Sequence, residues 1–153
     1  MKWLLVLMMS VFASHQSFAV GNVVIGDLEK LKKIGFEFTH VRQSEEGLVT
    51  FNLVIPSSYT FTDGEFKYTK DFFGVSYLRT LKAIEHGPLL ISAPATRFNL
   101  RCRELEDSRH VTTVTLKASD SKHCYFAVSF GNQQGTWPKI IHIPVPQLLK
   151  QLK

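Results

Sequence analysis

The chain has 153 residues, of which 44% are hydrophobic, 20% charged and 12% aromatic, with two cysteines and a formal net charge of +5. That is enough sequence for one globular domain, since domains commonly run to about 100–200 residues. It is too apolar for a disordered chain and too poor in cysteine for a disulfide-knotted miniprotein.

The N-terminus reads as a leader. Met1-Lys2 supplies one positive charge, and the eleven positions from Trp3 to Ala13 are apolar apart from Ser10. A basic start, an apolar stretch of about 7–15 residues and small residues at a cleavage point make the signal-peptide layout. Ser17-Phe18-Ala19 fits the cleavage pattern, which puts the cut between Ala19 and Val20. The run is short of the roughly 20 residues that span a bilayer, and no later stretch is long enough. The expected organisation is a cleaved signal peptide, 1–19, and a single exported β-rich domain, 20–153, periplasmic or extracellular and without a transmembrane span.

Removing 19 of 153 residues leaves 134, takes away all three methionines and one of the two tryptophans, and lowers the net charge to +4. A domain of this size buries about two thirds of its unfolded surface, so no metal or cofactor is needed for folding and no cofactor is expected. Residues 20–96 carry eight basic and nine acidic side chains, 97–123 six and four, and 124–153 three and none. The positive charge therefore sits in the C-terminal half.

One helix signal lies near the start of the mature chain. Asp27 can cap, Leu28, Leu31 and Ile34 repeat at helical spacing, Lys32 and Lys33 suit the negative end of the dipole, and Gly35 stops the run. From there the period becomes two. Phe36 to Arg42 is a first strand, and rows follow at Val49–Ile55, Phe73–Tyr77, Phe98–Cys102, Val114–Ala118, Cys124–Phe130 and Ile141–Val145. Asp- and Gly-bearing linkers such as Glu45-Glu46-Gly47, Asp63-Gly64, Glu85-His86-Gly87-Pro88 and Asn132-Gln133-Gln134-Gly135 separate them. No helix of crossover length intervenes, which disfavours a parallel sheet. The fold class is mainly β: a single antiparallel β-sandwich, or open barrel, of about seven strands with one short N-terminal helix. After Pro146, Leu148, Leu149 and Leu152 suit a final helical turn or a frayed tail.

Cys102 and Cys124 fall on the apolar sides of their rows, and an oxidising compartment favours a disulfide. In a simple three-stranded meander the two would lie roughly 9–10 Å apart, beyond the about 7 Å that a bridge tolerates. Either the bridge joins facing sheets or both thiols are free, and the bridge is the expectation. The histidines His40, His86, His110, His123 and His142 are dispersed, and Asp120, His123 and Cys124 do not converge on one ion because neighbours on a strand point apart, so no metal site is expected.

Arg97, Arg101 and Arg103 alternate with Phe98, Leu100 and Cys102, with Lys117 on the following row and Arg109, Lys122 and His123 in or beside nearby turns. If those strands pair, a basic face forms that can hold carboxylate or phosphate groups and speed encounter with anionic partners. The expected function is a non-catalytic exported β-domain that binds a protein, a glycan or an anionic envelope component, by this face or by an exposed strand edge; nucleic acid is not expected. The alternative is a small exported hydrolase with a histidine, serine and carboxylate site assembled from distant positions. Gly74-Val75-Ser76-Tyr77-Leu78 lacks the second glycine of a nucleophile elbow, so the reading leans away from an enzyme. N-terminal sequencing of the exported protein is expected to begin at Val20; a chain recovered with Met1 in place would overturn the leader.

Overall fold

A computed structural model of the chain describes residues 22–81, 95–120, 122–131 and 138–152. The leader at 1–19, its cleavage point, His86 and the linkers at 85–88 and 132–135 lie outside the described residues. The described chain is mainly β, with two sheets curled into a half-barrel.

Strand β1 (Asn22–Val24) leads into helix α1 (Leu28–Lys33), whose first turn is capped by the Asp27 carboxylate accepting from the Lys30 N–H at 2.9 Å. Those hydrogen bonds hold the Asp27 carboxyl below its usual range. Gly35 ends the helix at φ +96°, a left-handed conformation, and a Cβ there would meet Pro56 at 3.2 Å. Strands β2 (Glu37–Gln43), β3 (Leu48–Ile55), β4 (Ser58–Asp63) and β5 (Phe66–Thr80) follow. Beyond them come β6 (Ala95–Leu100), β7 (Arg103–Glu104), β8 (His110–Lys117), β9 (Cys124–Gly131) and β10 (Lys139–Pro144). Helix α2 (Val145–Gln151), with Pro146 in its first turn, completes the order.

The six-stranded sheet runs β1-β10-β9-β5-β4, with β6 also on β5; the four-stranded sheet runs β2-β3-β8-β7. Strand β5 spans 15 residues, and its two halves pair on the same edge with β4 and then β6, while β9 takes the other edge. The register against β9 shifts between Phe72 and Gly74, where β4 gives way to β6. Phe51 of β3 meets Phe126 of β9 edge-on at 6.1 Å, joining the two sheets across the main core. Tyr59, Phe61, Phe72 and Phe130 extend that core as a ring cluster under β4. On the other side of the six-stranded sheet Leu78, Tyr125 and Ala127 form a second buried cluster. Strand β9 is thus buried on both faces, consistent with its apolar run from Tyr125 to Val128.

The seven alternating rows all contain described strands, and three short or late elements, β1, β4 and β7, add to them. The helix at Asp27–Gly35 is present as expected, and the C-terminal leucines belong to a full helix that packs Val145 and Leu148 into the core.

The expected disulfide is corrected: no bridge joins Cys102 and Cys124, the first half-buried and the second buried. Register explains the separation. Cys124 is level with Arg79 and Thr96, whereas Val128 is level with Val75 and Leu100, and Cys102 follows Leu100 by two residues. The cysteines are therefore offset by two strand spacings of about 5 Å and by at least roughly 13 Å along the strand, well past the about 7 Å limit for a bridge. Strand β6 stops at Leu100, so Cys102 lies in the crossover to β7 instead of on a strand face. Burial pushes the Cys102 thiol up. Under denaturing, non-reducing conditions the protein is expected to titrate two thiols, and in the native state Cys102 should react before Cys124; an intact bridge would overturn the register.

Candidate functional site

The two sheets meet along two seams, and the seams are built differently. On the first, α1 carries the chain from β1 at one sheet's edge to β2 at the other's, and α2 returns beside it. Gln151 of α2 clasps the turn before α1: its Oε1 accepts from the Leu28 N–H at 2.8 Å, and its Nε2 donates to the Gly26 carbonyl at 2.9 Å. Leu28, Leu31, Val145 and Leu148 fill the space beneath.

The second seam lies between β6 and β8; Arg101-Cys102 bridges one end, and at the far end the chain leaves β8 for β9 through residues 118–123. Strand β7 covers just the start of β8, pairing Arg103 with Val111 and Glu104 with His110. Beyond Val111 that edge of β8 has no strand against it among the described residues. The Ala118 N–H donates to the Gly47 carbonyl, so alternation along an unshifted antiparallel pair turns the backbone groups of Leu116, Val114 and Thr112 towards β3. The N–H and C=O groups of Thr113, Thr115 and Lys117 consequently face the open edge.

Opposite this edge, the inward side of β5 and β6 presents Tyr77, Arg79, Phe98 and Leu100 across a groove of about 340 Å³ from residues 113–117. Phe98 follows the inward alternation, in register with Tyr77 at a ring separation of 6.5 Å, yet is 52% exposed. The Tyr77 hydroxyl is within hydrogen-bonding reach of the Cys124 thiol and of Arg79; burial and the thiol raise its pKa, which keeps it a neutral donor. Among the described residues Arg79 and Lys117 are the charged ones that line the groove. Both lie towards the far end, since Leu100 and Val111 mark the end bridged by Arg101-Cys102.

The residues of the expected basic face are distributed over both sheets. Arg97 is exposed on β6, on the outward side beside Leu78. Arg101 is exposed in the crossover, and Arg103 stands on β7, already in the four-stranded sheet. Lys117 lies at the far end of β8, six positions from Arg103's partner Val111, which is roughly 20 Å of strand. Arg109 is tied internally, to Glu37 and to Asp107, whose carboxyl it holds below the usual range.

The chain matches no known protein family. Neither a curated protein nor a solved structure matches it either. The functional reading therefore rests on the geometry. No cluster of three or more metal-ligating side chains occurs among the described residues, and no described helix is long and apolar enough to cross a membrane. His110 packs its ring on Phe72 at 4.3 Å, and His123 sits in a turn at φ +56° with its carbonyl accepting from Thr80.

The sequence reading passed over Tyr77, Arg79 and Phe98. Arg79 was the available signal, because it continues the row Val75, Tyr77 on the inward side of a strand, where a cation is unusual.

Arg97 has a different neighbour from the expected ones. It lies close enough to His142 to oppose protonation of that ring, which is 1% exposed with its Nδ1 unpartnered among the described residues. Burial first, then Arg97, lowers the His142 pKa from 6.5 to about 4. The fold thus holds this ring neutral, and its contribution is complete above pH 6.5. As the pH falls towards 4 the unfolded chain takes up a proton that the fold refuses, and stability drops by on the order of 3 kcal/mol. Urea unfolding at pH 7.5 and pH 4.5 should show this loss, and H142L should reduce it; an unchanged difference in the variant would overturn the assignment.

Proposed function

We propose that the chain is an exported, non-catalytic binding domain that captures an extended segment of a partner protein by adding it as a strand to the open edge of β8. The observation that carries this reading is the row of backbone groups at Thr113, Thr115 and Lys117, which face the groove with no strand among the described residues to pair them. An exposed edge of that kind is a template for main-chain pairing, and extended peptides bind other sheets by this route. The half-exposed Phe98 supports it, because an inward aromatic beside an open seam supplies the apolar contact that main-chain hydrogen bonds alone lack. Five residues from Thr113 to Lys117 give an edge of roughly 13 Å, the reach of a short extended segment.

A protein partner fits this geometry better than a glycan or a headgroup surface. Arg97, Arg101, Arg103 and Lys117 do not make the single flat basic face that a polyanion would need. Export rests on the leader at residues 1–19.

The test compares the full chain with two variants in its own cell envelope. T115P removes an edge N–H at a position where proline is tolerated in an edge strand, and F98D makes the groove wall polar. A photocrosslinking residue at Lys117 should join the wild-type protein to a partner peptide that can be mapped, with the yield falling at least about tenfold in each variant while melting temperatures stay near wild type. A crosslink retained in full by both folded variants would overturn strand addition, and a chain that remains in the cytoplasm with Met1 attached would overturn export.

A further inference from the structure

Resting on the strand-addition reading, we infer that the captured segment is acidic: apolar where it passes Leu100 and Phe98, and carrying carboxylates where it reaches Arg79 and Lys117. Both cations belong to the groove lining and both lie towards its far end, one on each wall. Among the described residues neither has a salt bridge, in contrast to Lys32 and Arg109, which do. No carboxylate is among the described residues that line the groove, so from these walls an uncharged occupant would gain no counter-charge for the two cations beside a partly desolvated strand.

Strand geometry divides the occupant's side chains between the two cations. Residues of an added strand alternate in direction. Those turned inward run beside Val114 and Leu116 and meet Phe98, Tyr77 and, at the far end, Arg79. Those turned outward run beside Thr113, Thr115 and Lys117. A carboxylate on each side of the strand at the far end then reaches one cation, and the Tyr77 hydroxyl, held by Arg79 and the Cys124 thiol, adds a neutral donor on the inward side.

Labelled heptapeptides test this on the full chain as purified. Each is built of valine and threonine except for two adjacent residues at one end, one for each side of the strand, and is made with the pair at either end to serve both strand directions; the pair is glutamate in the first set, glutamine in the second and lysine in the third. The glutamate peptide is expected to bind at least about tenfold more tightly than the glutamine peptide at low salt, with the gap narrowing as salt rises, and the lysine peptide to bind weakest. K117E and R79Q should each shrink the gap by several fold, whereas K67E, on an exposed lysine of the β4–β5 hairpin, should leave it unchanged. Equal binding of the glutamate and glutamine peptides, with both lost in T115P, would overturn the acidic preference and leave strand addition standing. If none of the peptides binds, or if all bind T115P and F98D as well as wild type, strand addition falls and the acidic preference with it.

Discussion

The architecture turns on β5, a strand too long for any one neighbour. Its 15 residues extend to roughly 50 Å, and the chain covers the edge away from β9 with two strands placed end to end, β4 against its first half and β6 against its second. A break between them falls at Phe72 to Gly74, where the register with β9 also slips. That division decides how the second sheet is reached. Strand β4 arrives from β3 through Pro56-Ser57, and β6 departs to β7 through Arg101-Cys102, so these two of the four sheet-to-sheet crossings are only two residues long. Short crossings pin the sheets together locally and do nothing for the rest of the edge.

The contrast between the two seams follows from what the chain has left to cover them. At the first seam two helices are available, and their buried leucines and valine each contribute about 1.5–3 kcal/mol by removing apolar surface from water, while Gln151 satisfies backbone groups that the turn into α1 would otherwise leave bare. At the second seam the pairing strand, β7, is two residues long, and β8 runs on past it. A strand edge and an inward phenylalanine are then left facing the same space. Each alone is unremarkable, because sheets have edges and surfaces carry single aromatics. Their coincidence in one groove, with two cations and no carboxylate among the described lining residues, is what separates this seam from an ordinary sheet boundary.

Much of this was legible in the sequence because a period of two assigns faces without any knowledge of pairing. Asp27 and Gly35 bracketed α1, and the alternating rows located the longer strands and put Phe51, Phe126 and Ile143 in the core. What alternation does not carry is register. The disulfide expectation failed on that point: both cysteines pack on the core, but the ladder through Arg79 and Thr96 sets Cys124 at the start of β9, level with the start of β6, while Cys102 lies past the other end of β6. The basic row failed on continuity. Reading Arg97 to Arg103 as one strand overlooked the crossover at Arg101-Cys102, which hands Arg103 to the other sheet. Strand β4 was missed because Pro56-Ser57-Ser58 reads as a terminus, although Tyr59 and Phe61 alternate directly after it. An open edge has no sequence signature of its own, since it depends on how far a neighbouring strand extends.

The cations proposed to select an occupant also limit what else can use the edge. Two copies of this chain could in principle pair β8 to β8, the usual hazard of an uncovered strand. Such a pairing would bring a second Arg79 and a second Lys117 to a groove whose described lining already holds one of each and no carboxylate, and would do so between chains that both carry excess positive charge in their C-terminal halves. Like charges brought together at a partly desolvated edge raise the cost of self-association, whereas a carboxylate-bearing strand lowers it. Charge therefore does here what a bulge or a covering loop does on other edges. It leaves the main-chain template open and restricts access to it by the chemistry of the arriving strand.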